Sequence, residues 1–171
     1  MQIRLKKGRD GPDSLACVRE DGTSTWKRLQ RGIAFHDLVH YAVESELGIA
    51  EGFFGLVEGG WTMDEFADAE ERARIPPAAM WIEFVVNQLM TEGTSGEYAD
   101  EDAFHETLAR SMAKLDLAIP RKLEAEELGR VRGRIVEVVG RWRSLPVGET
   151  LELPFEASRN PGAQPGRSRA H

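Results

Sequence analysis

The chain has 171 residues, 41% of them hydrophobic and 30% charged, with one cysteine and a net charge of −7. Those values fit one ordinary domain that can bury a core unaided. They exclude a disulfide framework and a cysteine-based zinc site, and the apolar runs are too short to span a membrane. The charge is unevenly spread. Residues 1–31 carry eight Lys/Arg against four Asp/Glu, residues 32–110 three against seventeen, and residues 111–171 eleven against eight. So acidic a middle region attracts cations, metal ions included, and disfavours a nucleic-acid surface.

Met1 to Lys7 alternates polar and apolar residues and lacks the apolar stretch and cleavage site of a secretion signal, so the expected location is cytoplasmic. Met1–Leu5, Ser14–Glu20 and Thr23–Leu29 read as short strands, the last two joined by a tight Asp21-Gly22 turn into a hairpin. Cys17, between apolar neighbours, reads as a small buried hydrophobe. After Gly32 a helix runs from about Ile33 to Leu47, with Phe35, Leu38, Val39 and Ala42 at helical spacing and Gly48 as its stop.

Residues 51–60 mix four glycines with large apolar groups, a pattern for a short buried turn or a helical turn with close backbone contacts. Thr62 and Glu65 form a capping box for a largely solvent-facing helix to about Ala73. Pro76-Pro77 opens a helix from Ala78 to about Thr91 so apolar that it reads as the central, buried one. Asp100 caps a helix striped by Phe104, Leu108, Met112 and Leu115, and a last helix covers about Leu123 to Trp142. Thr150–Phe155 alternates as an edge strand would and is expected to join the N-terminal hairpin. The fold class that follows is α+β and mostly helical: about five helices on a small antiparallel sheet, residues 1–156 forming one domain. Residues 157–171, rich in Pro, Gly, Ser and Arg, read as a disordered tail.

The concentrated chemical signal is His36-Asp37-Leu38-Val39-His40. Residues four apart lie on one helix face, so His36 and His40 are placed to offer both imidazoles to one ion. Two histidines need further ligands, and Asp37, Glu44, Glu51, Glu83 and His105 are the candidates. Glu44 continues the spacing but would have to reach back about 10 Å along the helix axis to share an ion with His36. Glu51 lies past Gly48 on a loop able to fold back. Glu83 interrupts the most apolar helix, with Asn87 one turn on, and a carboxylate in such a setting needs a partner. That partner is either an arginine (Arg72, Arg74 or Arg134) or a site. His105 sits beside its helix's core stripe and reads as a half-buried neutral histidine. The arginines of the last helix form no single basic face, and the four tryptophans have no spacing of a base-stacking platform.

His36-Asp37-x-x-His40 resembles the HExxH helix of zincin metallopeptidases, with Asp37 where that family's general-base Glu stands. The resemblance implies that His36 and His40 bind zinc and that Glu83, on a later helix, is the third ligand. Aspartate is one methylene shorter, which moves the base away from the metal. Ala34-Phe35-His36-Asp37 is also similar to the adjacent His-Asp of HD-type phosphohydrolases, which use in addition an upstream histidine; none precedes His36. A ubiquinone-biosynthesis family carries HDxxH followed by Glu twelve positions after the second histidine; here that position is Gly52, and Glu51 falls one short.

Two functions follow. One is a metal-binding protein, a metal-dependent hydrolase if an enzyme, with zinc the favoured divalent ion. In it His36, His40, Glu83 and Glu51 are the ligand candidates, and Asp37 or Glu83 is the catalytic carboxylate. The other is a non-catalytic structural or protein-interaction domain in which the same residues form a buried polar network. Partners on the first reading are a small-molecule or peptide substrate, with a homo-oligomer left open and neither membrane nor nucleic acid expected.

Overall fold

The computed structural model describes residues 1–30 and 32–157. Of the expected tail only Ala157 falls within them; it is buried, and its N–H donates to Glu58 Oε2 at 2.9 Å. Residues 158–171 lie outside the described residues.

Alternating side chains build four strands, β1 (Gln2–Lys6), β2 (Ser14–Val18), β3 (Ser24–Arg28) and β4 (Thr150–Pro154), with apolar residues inward except in β3, which turns Thr25 and Lys27 in and Trp26 out. They form one antiparallel sheet in the order β3-β2-β1-β4. β2 and β3 are the expected hairpin, its turn held by the Thr23 N–H donating to Asp21 Oδ1 at 2.9 Å. β4 adds beside β1, at the edge away from that hairpin, with Leu5 opposite both Leu15 and Leu151. The inner face, Ile3, Leu5, Leu15, Cys17, Leu151 and Leu153, is buried under the helices.

Seven helices are described: α1 (Ile33–Leu47), α2 (Phe53–Glu58), α3 (Met63–Ala67), α4 (Ala69–Arg72), α5 (Pro77–Ser95), α6 (Glu101–Ala113) and α7 (Ala125–Ser144). The fold is therefore α+β and mostly helical, with two more helices than the pattern predicts. One is α2, whose turn closes where the Gly55 backbone packs against that of Ala50. The other arises because the Thr62–Ala73 segment breaks at Asp68. That residue is extended, at φ −78° and ψ 133°, and its side chain accepts from the Glu70 and Glu71 N–H groups. Aspartate competes well as a cap and poorly as a helix interior residue, so the chain restarts there. None of the described helices is long and apolar enough to cross a membrane.

The central helix is α1 and not α5. Every residue from Asp37 to Glu44 is buried, and the helix packs against α7, α5 and α2. α5 buries Trp81, Ile82, Val85, Val86 and Leu89 but leaves Met80 39% exposed and Asn87 at the surface. Apolar density marked the wrong helix because α1 carries part of its burial as the polar Asp37, His40 and Glu44. Burying those three removes water from their polar atoms, which obliges the fold to supply partners.

Candidate metal centre

α1 sets the site. With 3.6 residues per turn, His36 and His40 stack one turn apart, ring centroids 4.6 Å from each other. α5 crosses α1 here and delivers Glu83 between the two rings. His40 Nε2 is 3.1 Å from Glu83 Oε1, and His36 Nε2 is 3.7 Å from Glu83 Oε2. One donor atom from each of the three residues lies within 4.8 Å of the others. Among the described residues, this is the group of His, Cys, Asp and Glu side chains that could hold a metal ion.

Each imidazole has a second carboxylate on its far side. His40 Nδ1 bonds Glu44 Oε1 at 3.0 Å, and Glu44 is fully buried, its other oxygen accepting the Gly55 N–H at 3.0 Å. With Nδ1–H donating to Glu44, the proton on Nε2 is the one a metal would displace, and its loss turns the Nε2 lone pair toward Glu83. His36 Nδ1 is 3.9 Å from Asp37 Oδ1, too long for a hydrogen bond. Asp37 is only 3% exposed, and Lys27 Nζ approaches the same oxygen at 3.8 Å.

Two buried polar atoms are left over. His40 Nε2 has no hydrogen-bond partner despite the nearby Glu83 oxygen, which is not aligned to accept, and Asp37 Oδ2 has none either. Unsatisfied buried atoms cost about 1–3 kcal/mol each and are rare without a reason. Both residues line an open cleft of about 760 Å³ together with His36, Glu83 and the rings of Phe53 and Phe66.

Charge follows the geometry. Burial opposes a charge on His40, but the Glu44 and Glu83 carboxylates outweigh it and push its pKa up to about 9. Asp37 and Glu83 likewise raise His36 above the ordinary imidazole value, against its partial burial. Burial would raise Glu83; the two imidazoles prevail and hold it well below the usual carboxylate range. Burial pushes the Glu44 carboxyl up, partly offset by His40 and the Gly55 N–H. Without a metal, protons on the imidazoles neutralise the carboxylates that face them.

Of the residues singled out by sequence, His36, His40 and Glu83 converge and Asp37 flanks them. Glu51 does not join. The loop after Gly48 reaches the site through its backbone instead, because Gly52 packs so tightly on Glu44 that a Cβ there would collide with the carboxylate. Glu83 takes no arginine: Arg74 pairs with Glu71, and Arg134 with Glu137 and Tyr41. Nor is it deeply buried, its side chain being 41% exposed at the cleft, and Asn87 points to solvent with no bond to it. His105 stays apart: it is buried, and its Nε2 lies 2.9 Å from the Leu123 carbonyl oxygen and 3.1 Å from the Leu123 nitrogen.

Glu44, Lys27 and Gly52 are site residues that sequence reasoning did not assign to these places. Glu44 had a signal in its four-residue spacing from His40, which suits the far nitrogen of that ring better than the ion. Lys27 had one in strand alternation, which turns it inward with Thr25 while Trp26, 62% exposed, faces out. Compared with known protein families, curated proteins and solved structures, the chain matches none.

Proposed function

We propose that the protein binds one divalent metal ion through His36 Nε2, His40 Nε2 and a Glu83 oxygen, and that the centre is hydrolytic. The observation that carries this reading is the buried, unpartnered His40 Nε2, held toward two other donors by the Glu44 hydrogen bond behind it. Two imidazoles and one carboxylate make a donor set that suits zinc and leaves a fourth position open. Tetrahedral zinc bonds of about 2.0–2.2 Å put ligand atoms about 3.3–3.5 Å apart; here His40 Nε2 is 3.1 Å from Glu83 Oε1, His36 Nε2 is 3.7 Å from Oε2, and one atom from each residue lies within 4.8 Å of the others. Glu44 fills the role of the carboxylate that orients a ligating histidine and raises its basicity.

When bound, such an ion supplies Lewis acidity and lowers the pKa of a coordinated water. Asp37 is the carboxylate free to take a proton, since Oδ2 is buried at the cleft with no partner, whereas Glu83 is committed to the histidines. Lys27 stands 3.8 Å from the other Asp37 oxygen, a long ion pair that leaves its ammonium protons open.

Elemental analysis of the purified, untagged chain tests the first half, with about one ion per chain expected. His40→Ala and Glu83→Gln should each lose it while the protein stays folded. A metal-free wild-type protein that takes up no zinc on dialysis would leave the buried polar network as the function of these residues. Hydrolysis is tested with 4-nitrophenyl esters and phosphates. Turnover should require metal and fall about 10²-fold or more in Asp37→Asn, with metal content unchanged. Turnover equal in Asp37→Asn and wild type removes Asp37 from the chemistry.

A further inference from the structure

Residues 32–110 carry only three basic residues, Arg72, Arg74 and Arg110, against seventeen acidic ones. One of the three, Arg72, lines the cleft over the metal centre, and β3 contributes Lys27 and Arg28 from the basic N-terminal segment. The most acidic stretch of the chain thus places its site beside two cations, Lys27 and Arg72, while Arg28 shares the outward face of β3 with Trp26. Among the described residues, none of these side chains donates a hydrogen bond. Lys27 comes nearest to pairing, at 3.8 Å from Asp37, and its Nζ also lies 4.7 Å from the centre of the Phe53 ring. Next to Lys27 stand Phe53 and Phe66, ring centroids 4.8 Å apart, an apolar wall beside the charged groups.

We infer that this cleft takes a small organic oxyanion, a carboxylate or phosphate carried on an apolar body, its charged oxygens reaching Lys27 and the metal while the body lies on Phe53 and Phe66. The inference rests on the metal reading above and names the ligand class for that same site. The electrostatics support it. With a divalent ion in place, the ion, Lys27 and Arg72 bring four positive charges against the three of Asp37, Glu83 and Glu44, so the cleft attracts anions although the chain is acidic. Lysine donors without a fixed partner favour an oxyanion, since a charge-assisted hydrogen bond out of bulk water is about twice as strong as a neutral one. An aryl face on the two rings adds contact that a bare ion lacks.

The test uses the zinc-loaded full chain and two probes that it cannot hydrolyse, phenylphosphonate and phenylacetate, followed by titration calorimetry, with zinc content measured on the same samples. One or both should bind, and which of them binds tighter separates phosphate from carboxylate recognition. Inorganic phosphate should bind the wild type about ten-fold or more weakly than phenylphosphonate, and phenethylamine should not compete. Lys27→Gln should weaken the tighter aryl anion about ten-fold or more, and Lys27→Arg should restore it to within about three-fold, with one zinc per chain throughout. The inference is overturned if zinc binds but neither aryl anion does, if Lys27→Gln binds as wild type does, or if the amine competes. A chain that takes up no zinc overturns the metal reading itself, and this inference with it.

Discussion

Helix α5 carries two carboxylates that face other helices, nine residues apart, and the fold treats them in opposite ways. Glu92, 5% exposed, is closed: Arg132 Nε donates to Oε2 at 2.9 Å, Arg132 Nη2 to Oε1 at 2.7 Å, and the Ala99 N–H to Oε1 at 3.1 Å. The guanidinium is finished in turn by the Ala99 carbonyl at 2.8 Å. Glu83 meets two imidazoles at 3.1 and 3.7 Å, keeps 41% of its side chain open, and leaves His40 Nε2 without a bond. A saturated, bidentate cluster ties α5 to α7 and has no capacity left for a ligand. An unsaturated one at a cleft has been left incomplete at the expense of stability, which is the mark of a site.

The sharpest way to break this contrast is to neutralise each carboxylate in turn. Glu92→Gln strands a partly buried guanidinium and should cost about 3–5 kcal/mol in urea unfolding, with zinc uptake in the surviving folded fraction unchanged. Glu83→Gln should reverse the pattern, losing zinc while the metal-free unfolding free energy stays within about 1 kcal/mol of wild type. If both variants behave alike, the distinction between closed and open clusters fails.

Acidity offers a second lever. His40 is raised in the folded, metal-free protein to about 9 from an ordinary 6.5. Its folded form binds the proton more tightly than its unfolded form, so the stability it contributes is complete below about pH 6.5. That contribution is lost as pH rises through 9. Unfolding midpoints in chelator should therefore fall between pH 6.5 and 9.5 by the equivalent of about 3 kcal/mol, and His40→Ala should flatten the decline. A decline that survives in His40→Ala would place its origin elsewhere.

Gly52→Ala is a subtler probe, because its methyl group would strike the Glu44 carboxylate behind His40. Moving Glu44 should weaken zinc about 10–100-fold while the three ligands themselves are untouched. Undiminished zinc affinity in a folded Gly52→Ala protein would show that Glu44 does not orient the ligand. The smallest effect belongs to Asn87→Ala. Asn87 is exposed and makes no bond to Glu83, so stability and zinc affinity should both stay within about 0.5 kcal/mol.

Elements with a local signal were legible from sequence. The hairpin with its Asp21-Gly22 turn, the Gly48 stop of α1, the Thr62 capping box and the alternating β4 strand all fall close to where pattern puts them. So did the pairing of His36 with His40, because four-residue spacing is a property of the helix alone. The choice between site and ion pair for Glu83 was not legible, since it depends on how α5 crosses α1, which no local pattern encodes. Nor was the centrality of α1. Its burial rests on Asp37, His40 and Glu44 as much as on Leu38 and Val43, and a hydrophobicity pattern counts those polar residues as surface. The roles of Glu51 and Gly52 were exchanged for a related reason. A carboxylate on a loop invites a ligand reading, while a glycine signals only that some backbone must come close, without saying to what.

The pairing of β1 has a consequence for how the molecule assembles. Its partner β2 begins eight residues beyond its end, whereas its other partner, β4, arrives only at Thr150. Residues 24–95, from β3 through α5, hold Lys27, His36, Asp37, His40, Glu44, Gly52 and Glu83, so the proposed metal centre is built from a comparatively short stretch of sequence. The β1–β4 ladder has to wait for residues 150–154. Closing so long a loop adds little to the equilibrium cost, about 0.6 kcal/mol per doubling of loop length, but such distant pairings slow the search for the native state. During synthesis the centre is therefore fully translated, with its ligands in reach of one another, before the last strand leaves the ribosome to complete the sheet.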